Sequence, residues 1–529
     1  MMISRLLNRE ATTICIAVFG CVGLILLQAQ FWDFVLDDAY IFYRYSKHLS
    51  EGAGLLWNLG EDPVEGYTSF LWVLIHAGAI KLNWNPAVFS KILSCIVTLS
   101  IVLILSIKTR KTYWPFSVII VAGIAFNPCF ALLSMMGMET IITSFLALFL
   151  CIISMRLVFQ WSTFNAMLLH GLAILSMLSR PDMAPFVLGV FIGITGIYIF
   201  DRKYKELRFF FLTATVPLLI GLGYMYWRFQ YFGYLFPNTF YRKALQAGTG
   251  LPVYLKTYFP DSAFPGLSYV ISFIKDFALP YIFLAIIAFF IFRDSEKFRK
   301  ILPSFLGSLG FLFFLLFVIP VQGFFWRFAM PILPACLYSL ATIMQNNTIG
   351  SSKGPIKTIF SVFLALLFIL WPLRLNEQTR FLSKYFTLKD RILVGKALSD
   401  LPGTMFVSDS GALPYFSGWR AVDHFGLNSE TIAHKGLTVD FLQSLNPDLI
   451  MLSMRKEKDR WDDYPIVKKY IQKEDFAVGA VILKNPTRIH LYLIRKNSAQ
   501  FTAITDRFRK LKDVTLIDPL NIDGDDFFI

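Results

Sequence analysis

The stretch Asp33-Phe-Val-Leu-Asp37-Asp38-Ala-Tyr-Ile-Phe-Tyr-Arg44-Tyr follows the first long hydrophobic segment of the chain almost immediately. Two adjacent carboxylates, Asp37 and Asp38, are therefore expected at the membrane surface. Charge close to hydrocarbon costs free energy, so ionisable residues at such positions usually mark a site of chemistry or transport. After Asp38 the apolar residues recur at helical spacing, which predicts an amphipathic helix lying in the interface.

An aspartate at the start of a helix also has a simpler explanation. It can cap the exposed N–H groups and complement the helix dipole. One cap accounts for one carboxylate, but not for two carboxylates side by side near lipid. Adjacent like charges favour the protonated form of one of the two groups, which suits a general base. The residues alone leave both explanations open.

The composition is that of a membrane protein. Of the 529 residues, 56% are hydrophobic and 16% are charged, whereas soluble proteins are about 45–50% apolar and about 25% charged. The net charge of +14 does not indicate a nucleic-acid partner, because the basic residues form short clusters between apolar runs. That pattern follows the positive-inside rule. All six cysteines lie in apolar segments, so neither a disulfide framework nor a zinc site is predicted.

Eleven apolar segments are long enough to be predicted as membrane spans. They cover about 11–30, 88–107, 115–134, 139–158, 163–178, 183–200, 209–228, 269–292, 301–320, 328–346 and 356–373. Segment 66–82 is also apolar, and we interpret it as a re-entrant or half-buried helix, or as one of a compensating pair. The predicted number of spans is therefore odd, between eleven and thirteen.

Basic connectors at 108–111, 202–208, 293–300 and 353–357 are placed in the cytoplasm by the same rule, which puts the C-terminus outside. We therefore expect a protein of the bacterial inner membrane, with a transmembrane domain at 1–373 and a periplasmic domain at 374–529. Strand-like segments at 404–408, 449–453, 477–483 and 489–494 alternate with helix-like segments at 390–401, 439–445, 465–472 and 501–511. This alternation predicts an α/β domain.

Five polar stretches fall on the predicted outer face and are expected to form one site: 33–67, 135–140, 179–182, 229–268 and 322–327. Arginine and lysine on this face could bind a phosphate head group, because a guanidinium binds two oxygens at once. Snorkelling to the interface explains any one of these cations equally well. The aromatic stretch 231–243 could be a sugar platform or an interfacial aromatic belt, and Glu65 could orient a sugar or lie in a solvated loop.

These motifs resemble those of the terminal arabinofuranosyltransferases of the mycobacterial envelope, and the chain is also similar to the LphB-type membrane proteins of Gram-negative bacteria. The matching motifs, in order, are Asp37-Asp38-Ala-Tyr-Ile with Tyr43-Arg44-Tyr45, Glu65-Gly-Tyr67-Thr68-Ser69, Gly137-Met-Glu139-Thr140, Ser179-Arg180-Pro-Asp182, Pro237-Asn238-Thr239, Arg327-Phe with Pro331, and Gly411-Ala-Leu-Pro-Tyr415 with Asp423 and Gly426-Leu-Asn428. The ordered set, spanning about residues 31 to 430, carries the resemblance.

The resemblance implies a GT-C fold with 11–13 transmembrane helices, a catalytic first outer loop at 31–68 and an outer soluble domain. It also implies an inverting glycosyltransferase that uses a polyprenyl-phosphate sugar and modifies an envelope glycan or glycolipid at the periplasmic face. The sugar would be an arabinofuranose-like pentose or a hexose. By this analogy Asp37 would be the general base, and Asp38 would assist it or bind a divalent cation; no other cofactor is implied.

Residues expected to bind donor or substrate share a position in one of these motifs or polar stretches. They are Tyr43, Arg44, Glu65, Tyr67, Thr68, Glu139, Arg180, Asn238, Thr239, Arg242, Lys243, Arg327 and Asp423. The alternative function is a transporter or flippase for a lipid-linked sugar, which would favour ionisable residues in mid-span and internal repeats. A non-catalytic assembly scaffold would not need the acidic pair. The sequence has no Walker loop and no His-Glu-x-x-His motif, so nucleotide-driven transport and metalloprotease activity are not supported.

Overall fold

The structure is a computed structural model that describes residues 2–242, 264–278, 295–318, 324–345, 355–455, 461–485 and 487–511. The chain divides into two compact units. Unit 1 comprises the described residues of Met1–Asp33, Ser90–Tyr226 and Ser262–Phe381, and unit 2 those of Phe34–Phe89, Trp227–Asp261 and Leu382–Ile529. The domain boundaries predicted from the sequence, 1–373 and 374–529, stay a prediction. The compact units differ from them because the first predicted outer loop clusters with the C-terminal residues.

The α-helices are α1 (Met2–Ala29), α2 (Asp37–Ser50), α3 (Phe70–Lys81), α4 (Pro86–Lys108), α5 (Trp114–Ala125), α6 (Pro128–Met135), α7 (Thr140–Phe159), α8 (Thr163–Ser179), α9 (Ala184–Phe200), α10 (Tyr204–Phe232), α11 (Asn238–Phe240), α12 (Leu267–Phe273), α13 (Ser295–Leu316), α14 (Leu333–Met344), α15 (Pro355–Leu373), α16 (Asn376–Tyr385), α17 (Lys389–Leu398), α18 (Ala412–Ser417), α19 (Glu430–Lys435), α20 (Val439–Leu445), α21 (Pro465–Ile471) and α22 (Phe501–Arg509). Short 3-10 turns lie at Thr109–Lys111, Pro181–Met183, Phe324–Trp326 and Met330–Ile332, and a π-helical turn lies at Ile274–Ala278.

Seven helices in the described part of the chain are long and apolar enough to cross a membrane. They are Arg9–Ala29, Pro86–Lys111, Trp114–Met135, Thr140–Phe159, Pro181–Phe200, Tyr204–Phe232 and Glu296–Leu316. The predicted span 163–178 is the 17-residue helix α8, and the predicted span 269–292 extends beyond the described residues. The total of eleven to thirteen spans stays a prediction.

Helix α3 lies within the ambiguous segment 66–82 and has 12 residues. At 1.5 Å per residue it is about 18 Å long, which is shorter than a hydrocarbon core of about 30 Å. Its first turn is fixed by Ser69, whose side chain accepts a hydrogen bond from the N–H of Trp72 at 3.2 Å. This length fits a re-entrant or half-buried helix.

Small residues bring α9 and α13 close together in unit 1. A Cβ atom at Gly193 would lie 2.5 Å from Pro303 Cα, and one at Gly189 would lie 2.4 Å from the carbonyl oxygen of Leu306. Spacing glycines four residues apart puts both on one helix face, so the backbones can approach. Without a hydrophobic driving force between helices in lipid, such close contact supplies much of the packing energy.

Unit 2 contains a five-stranded sheet in the order β2-β1-β3-β5-β4. The strands are β1 (Thr404–Val407), β2 (Arg420–Asp423), β3 (Leu449–Arg455), β4 (Phe476–Asn485) and β5 (Arg488–Arg495). Strand β1 pairs in parallel with β2 and β3, whereas β5 is antiparallel to both β3 and β4. The predicted α/β domain is confirmed, with one strand more than the sequence indicated. Parallel strands are covered on both faces, and β1 and β3 are accordingly almost wholly buried.

Candidate active site

The acidic pair opens α2, as the sequence predicts. Asp37 is the first residue of the helix and Asp38 the second, and both are partly buried. The carboxylate of Asp37 accepts the backbone N–H groups of Gly411 at 2.9 Å and Ala412 at 3.0 Å. Its Oδ1 also lies 3.1 Å from a guanidinium nitrogen of Arg391. The carboxylate therefore anchors the start of α2 to the start of α18 within unit 2.

Behind Asp37 lies a group of buried charges that sequence reasoning missed. Arg391 also donates to Asp409 at 2.8 Å, and Lys484 donates to the same carboxylate oxygen at 2.7 Å. His490 contacts Asp390 through Nδ1, and its Nε2 lies 3.3 Å from Asp409. We call this group the ion cluster; its members are Asp37, Asp390, Arg391, Asp409, Lys484 and His490.

The ion cluster holds the carboxylates of Asp390 and Asp409 in the charged form. Burial by itself raises the pKa of Asp409, but Lys484, Arg391 and His490 outweigh burial and hold that pKa well below its usual value. The pKa of Asp390 is lowered in the same way, against burial, chiefly by His490. Buried charges persist only when they are paired and hydrogen-bonded. Asp37 is thus tied to a paired and largely buried charge network.

Gly411 is needed for the approach of α18 to Asp37. A Cβ atom at Gly411 would lie 1.9 Å from the backbone oxygen of Asp37 and 2.8 Å from its carboxyl carbon. Backbone cannot move aside as a flexible side-chain tip can, so we expect Gly411→Ala to displace the anchored loop. Overpacking of this kind typically costs about 1–3 kcal/mol.

We predict that Gly411→Ala lowers the free energy of unfolding by about 3 kcal/mol, the upper end of that range. Thermal and denaturant unfolding of the purified protein in detergent would measure it. Gly78→Ala is the matched control, because Gly78 lies within α3 and a Cβ atom there meets nothing within 4 Å. Equal stability of the two variants would contradict the close contact.

Arg44 has structural contacts within unit 2, and its expected part in substrate binding stays a prediction. It is buried in α2 and donates to the carbonyl oxygens of Trp57 at 2.8 Å, Pro414 at 2.6 Å and Trp419 at 2.8 Å. It also donates to Asn58 Oδ1 at 3.1 Å. The guanidinium is thus surrounded by protein acceptors and links α2 to the segment around β2. Tyr43 is likewise wholly buried and packs against other rings.

Asp423 stabilises the loop that follows it. It is buried at the end of β2, and its carboxylate accepts the N–H groups of Phe425 at 3.0 Å and Leu427 at 2.6 Å. Burial raises its pKa to about 7, although these N–H groups and Arg242 oppose the shift. Arg242 is half-buried. Lys243, the other cation expected beside it, lies outside the described residues.

Glu65 is paired with an arginine that sequence reasoning did not single out. Arg228, near the end of α10, donates to Glu65 at 2.7 Å through Nε, and the two groups form an ion pair at 2.5 Å. Both side chains are buried. The backbone oxygen of Glu65 accepts from the N–H of Asn238 at 3.0 Å. The sequence signal that could have identified Arg228 is its position at the end of a predicted span, since a buried carboxylate needs such a partner.

Next to this pair lie further expected binding residues. Asn238 and Thr239 are buried, and Asn238 Nδ2 and Thr239 Oγ1 make no hydrogen bond with the residues that the structure describes. Buried polar atoms are normally satisfied, so these two atoms are candidates for contact with a substrate. Tyr67 is buried against Tyr45 and Phe232, whereas Thr68 is exposed.

Unit 1 holds a second polar cluster, which contains three of the expected residues. Arg180 binds Asp182 through two hydrogen bonds, of 2.9 and 2.5 Å, and its Nη1 lies 3.6 Å from Glu139. Arg180 and Arg327 both lie against the ring of Phe328, at 5.0 and 5.4 Å from its centroid. We call Glu139, Arg180, Asp182 and Arg327 the arginine cluster.

The arginine cluster has buried polar atoms that the surrounding protein does not satisfy. Nη1 of Arg180 and Oε2 of Glu139 make no hydrogen bond within the described part of the chain, and both side chains are buried. An unsatisfied buried donor is costly. The two guanidinium groups therefore have the chemistry for binding an anion with several oxygens, such as a phosphate.

The divalent cation expected at Asp38 would need further oxygen ligands beside that carboxylate. The carboxylate of Asp37 faces N–H groups and a guanidinium. Over the described ranges, no group of three or more histidine, cysteine, aspartate or glutamate side chains has the arrangement of a metal site. A cation at Asp38 stays a prediction.

The sequence and the fold were compared with known proteins. Residues 384–495 match a domain of unknown function (DUF8728), and no curated protein matches significantly. Among solved structures, ArnT from Cupriavidus metallidurans bound to undecaprenyl phosphate is similar in fold at 12% identity, with a TM-score of 0.58 over 92% of this chain and 99% of that one. The fold is the GT-C fold. Apo ArnT is similar over 91% of this chain and 98% of that one, at 13% identity and a TM-score of 0.50.

The GT-C likeness confirms the fold class predicted from the sequence: many apolar helices with a C-terminal α/β domain. At such low identity it concerns the fold alone. The five outer stretches expected to form one site fall into two groups by unit. Residues 34–67 and 229–242 belong to unit 2. Residue 33, stretches 135–140 and 179–182, and the described residues 264–268 and 324–327 belong to unit 1, so the predicted stretch 229–268 is divided between the units.

Proposed function

We propose that this protein is an integral membrane glycosyltransferase that moves a sugar from a polyprenyl-phosphate donor to an envelope glycan or glycolipid. The observation that carries the proposal is a GT-C fold, matched along nearly the whole chain by a protein whose structure holds undecaprenyl phosphate. The carboxylate pair at the start of α2 adds the acid–base chemistry that such a transfer needs. The reaction takes place at the periplasmic face of the bacterial inner membrane, and the sugar is a pentose or a hexose.

The two aspartates have different roles in this proposal. Asp37 accepts two N–H groups, which occupy two of its roughly four lone-pair positions, and it forms an ion pair with Arg391 at 3.1 Å. It is the positioning residue. Asp38, the next residue on α2, is the general base that takes the proton of the acceptor hydroxyl. This reverses the preference for Asp37 that the family resemblance implied.

The reaction is a single displacement with inversion. As Asp38 takes the hydroxyl proton, the acceptor oxygen forms a bond to the anomeric carbon of the sugar. The bond between that carbon and the phosphate oxygen breaks, and polyprenyl phosphate leaves with the electron pair. Phosphate is a good leaving group, so no general acid is required. The gain in rate comes from positioning and from stabilising the leaving charge.

We assign the arginine cluster of unit 1 to the binding of a polyprenyl phosphate group. Arg180 and Arg327 provide two planar guanidinium groups, and Nη1 of Arg180 is a buried donor without a hydrogen-bond partner among the described residues. Glu139 and Asp182 hold Arg180 in place. Arginine binds phosphate through two parallel hydrogen bonds, which a lysine ammonium cannot reproduce.

We predict that Arg180→Lys reduces the polyprenyl phosphate retained by the purified protein roughly tenfold, because a charge-assisted hydrogen bond is worth about 1.5–3 kcal/mol. Mass spectrometry of extracted lipid would measure the retained amount and, in the wild type, the attached sugar. Arg374→Lys is the matched control, since Arg374 is partly exposed and pairs with Asp276 in the same unit. Equal retention by both variants would contradict the assignment.

The function itself is tested by turnover. Purified protein in nanodiscs is given polyprenyl-phosphate pentoses and hexoses in turn, with an envelope glycolipid fraction as acceptor. We expect release of polyprenyl phosphate that depends on both substrates. Movement of intact lipid-linked sugar across the membrane without release of polyprenyl phosphate would instead identify a flippase.

A further inference from the structure

A basic cavity of about 260 Å³ lies in unit 1 near the C-terminal end of α7. It is lined by Lys108, Ile152, Met155, Arg156, Phe159, Lys297, Lys300, Tyr338, Thr342 and Gln345. Glu139 of the arginine cluster directly precedes the other end of the same helix. The 20 residues of α7 make it about 30 Å long, which equals the thickness of the hydrocarbon core. The cavity and Glu139 therefore belong to opposite membrane faces.

Four cations from three helices meet at this cavity. Lys108 ends α4, Arg156 belongs to the last turn of α7, and Lys297 and Lys300 belong to the first two turns of α13. The described lining includes no carboxylate. Lys300 has an acidic neighbour, Glu296, at 3.2 Å, and that glutamate is largely exposed. The cavity is strongly positive and suits an anion.

The lysines are held in place by aromatic rings and carbonyl groups. Lys108 Nζ lies 4.7 Å from the centre of the Tyr338 ring, and Lys300 Nζ lies 3.4 Å from that of Phe159. Lys297 donates to the carbonyl oxygens of Ile343 at 3.4 Å and Gln345 at 2.6 Å. Each ammonium has three N–H donors, so the ring contacts of Lys108 and Lys300 orient these two lysines and leave donors for a ligand.

Ordinary snorkelling of basic residues to the interface does not account for this arrangement. Snorkelling side chains extend away from the protein towards water, as Arg110 and Lys111 do in the connector after Lys108, where both are exposed. Lys108 and Lys300 instead lie over rings that line the cavity, and the side chain of Lys300 is only 22% exposed. The four cations line one cavity, whereas snorkelling would direct them separately towards water.

We propose that this cavity binds the phosphate group of an anionic phospholipid in the leaflet at this face of the membrane. Its position at helix ends places it at the depth of lipid head groups, and its charge matches a phosphodiester. Its volume is below the about 300–1,000 Å³ of sites for whole small molecules, which suits a head group whose acyl chains stay in the bilayer. By the positive-inside rule this leaflet is cytoplasmic.

The test uses the full chain in phosphatidylcholine nanodiscs with or without phosphatidylglycerol. A double variant, Lys108→Gln with Lys300→Gln, removes two cations of the cavity. The matched control, Arg110→Gln with Lys111→Gln, removes two exposed cations at the same membrane face. Native mass spectrometry measures retained phosphatidylglycerol, and thermal unfolding in phosphatidylcholine alone shows whether each variant is folded.

We expect retention to fall roughly fivefold for each cavity cation removed. The control should retain phosphatidylglycerol as the wild type does, and phosphatidylglycerol should raise the unfolding midpoint of wild type and control but not of the cavity variant. Equal retention by cavity and control variants would overturn the proposal. Equal stabilisation by inorganic phosphate would overturn the lipid assignment in favour of a soluble phosphate. A cavity variant that is unfolded without phosphatidylglycerol is replaced by Arg156→Gln alone, with Arg110→Gln as its control and the same criteria.

Discussion

Asp38→Asn is expected to remove sugar transfer while leaving the protein folded. Asparagine has nearly the same size and keeps the helix start intact, but it cannot accept the proton of the acceptor hydroxyl. General base catalysis contributes about 10²–10⁴-fold to a rate, so the loss should be at least a hundredfold. The measurement is release of polyprenyl phosphate from a lipid-linked sugar by the purified variant in nanodiscs.

Asp37→Asn is the informative comparison, because Asp37 is the anchored member of the pair. Its asparagine variant keeps one oxygen for the N–H groups of α18 but loses the charge that faces Arg391. We expect lower stability together with a partial loss of transfer. If Asp37→Asn instead abolished transfer at unchanged stability while Asp38→Asn stayed active, the two roles would be exchanged. Full activity in both variants would refute the catalytic role of the pair.

Arg391→Met is expected to destabilise the protein by about 3–5 kcal/mol, the cost of removing one partner from a buried charge pair. Arg391 is wholly buried and faces the carboxylates of Asp37, Asp390 and Asp409. Methionine has a similar length but no charge, so the ion cluster keeps three carboxylates and loses its central cation. Denaturant unfolding of the full chain in detergent would measure the difference in the free energy of unfolding.

Arg420→Met provides the control for this prediction. Arg420 pairs with Glu61, but both side chains are more than one third exposed, and exposed ion pairs contribute only about 0–1 kcal/mol. Similar losses in the two variants would show that Arg391 acts through general packing rather than through its charge.

The effect of Arg391→Met should also depend on pH. In the folded wild type the pKa values of Asp390 and Asp409 lie below the ordinary value of 3.8. Their ionised forms therefore stabilise the protein above that pH, and this contribution is lost as the pH falls through the folded values. The difference between wild type and variant should accordingly be largest near neutral pH and should narrow below about pH 4. A difference independent of pH would contradict an electrostatic cause.

Much of the architecture could be predicted from local sequence signals. Hydropathy and helical periodicity depend on neighbours within one or two turns, so the positions of most long helices were readable from runs of apolar residues. The strands β1, β3, β4 and β5 were indicated by short β-branched and aliphatic runs between turn residues. Strand β2 is not among the predicted runs because its two end residues, Arg420 and Asp423, are charged, which leaves only two apolar residues between them.

Roles of charged residues could be predicted much less well. Arg44 is predicted as a binding residue from the motif Tyr43-Arg44-Tyr45, but that motif could not indicate its acceptors Pro414 and Trp419, which are 370 and 375 residues away. Lys484 and His490 lie in none of the motifs recognised in the sequence. Their function became visible only when β4 and β5 brought them beside Asp409.

The sequence by itself determined that this is a helical membrane protein with an α/β domain and an acidic pair at the start of a helix. Those properties follow from local composition and spacing, which no later folding step changes. Only the tertiary structure decided that Asp37 is anchored to Gly411, 374 residues along the chain. The reason is physical: a carboxylate accepts hydrogen bonds from whichever donors folding brings near it. The spacing of neighbouring residues does not encode contacts between positions so far apart in the chain.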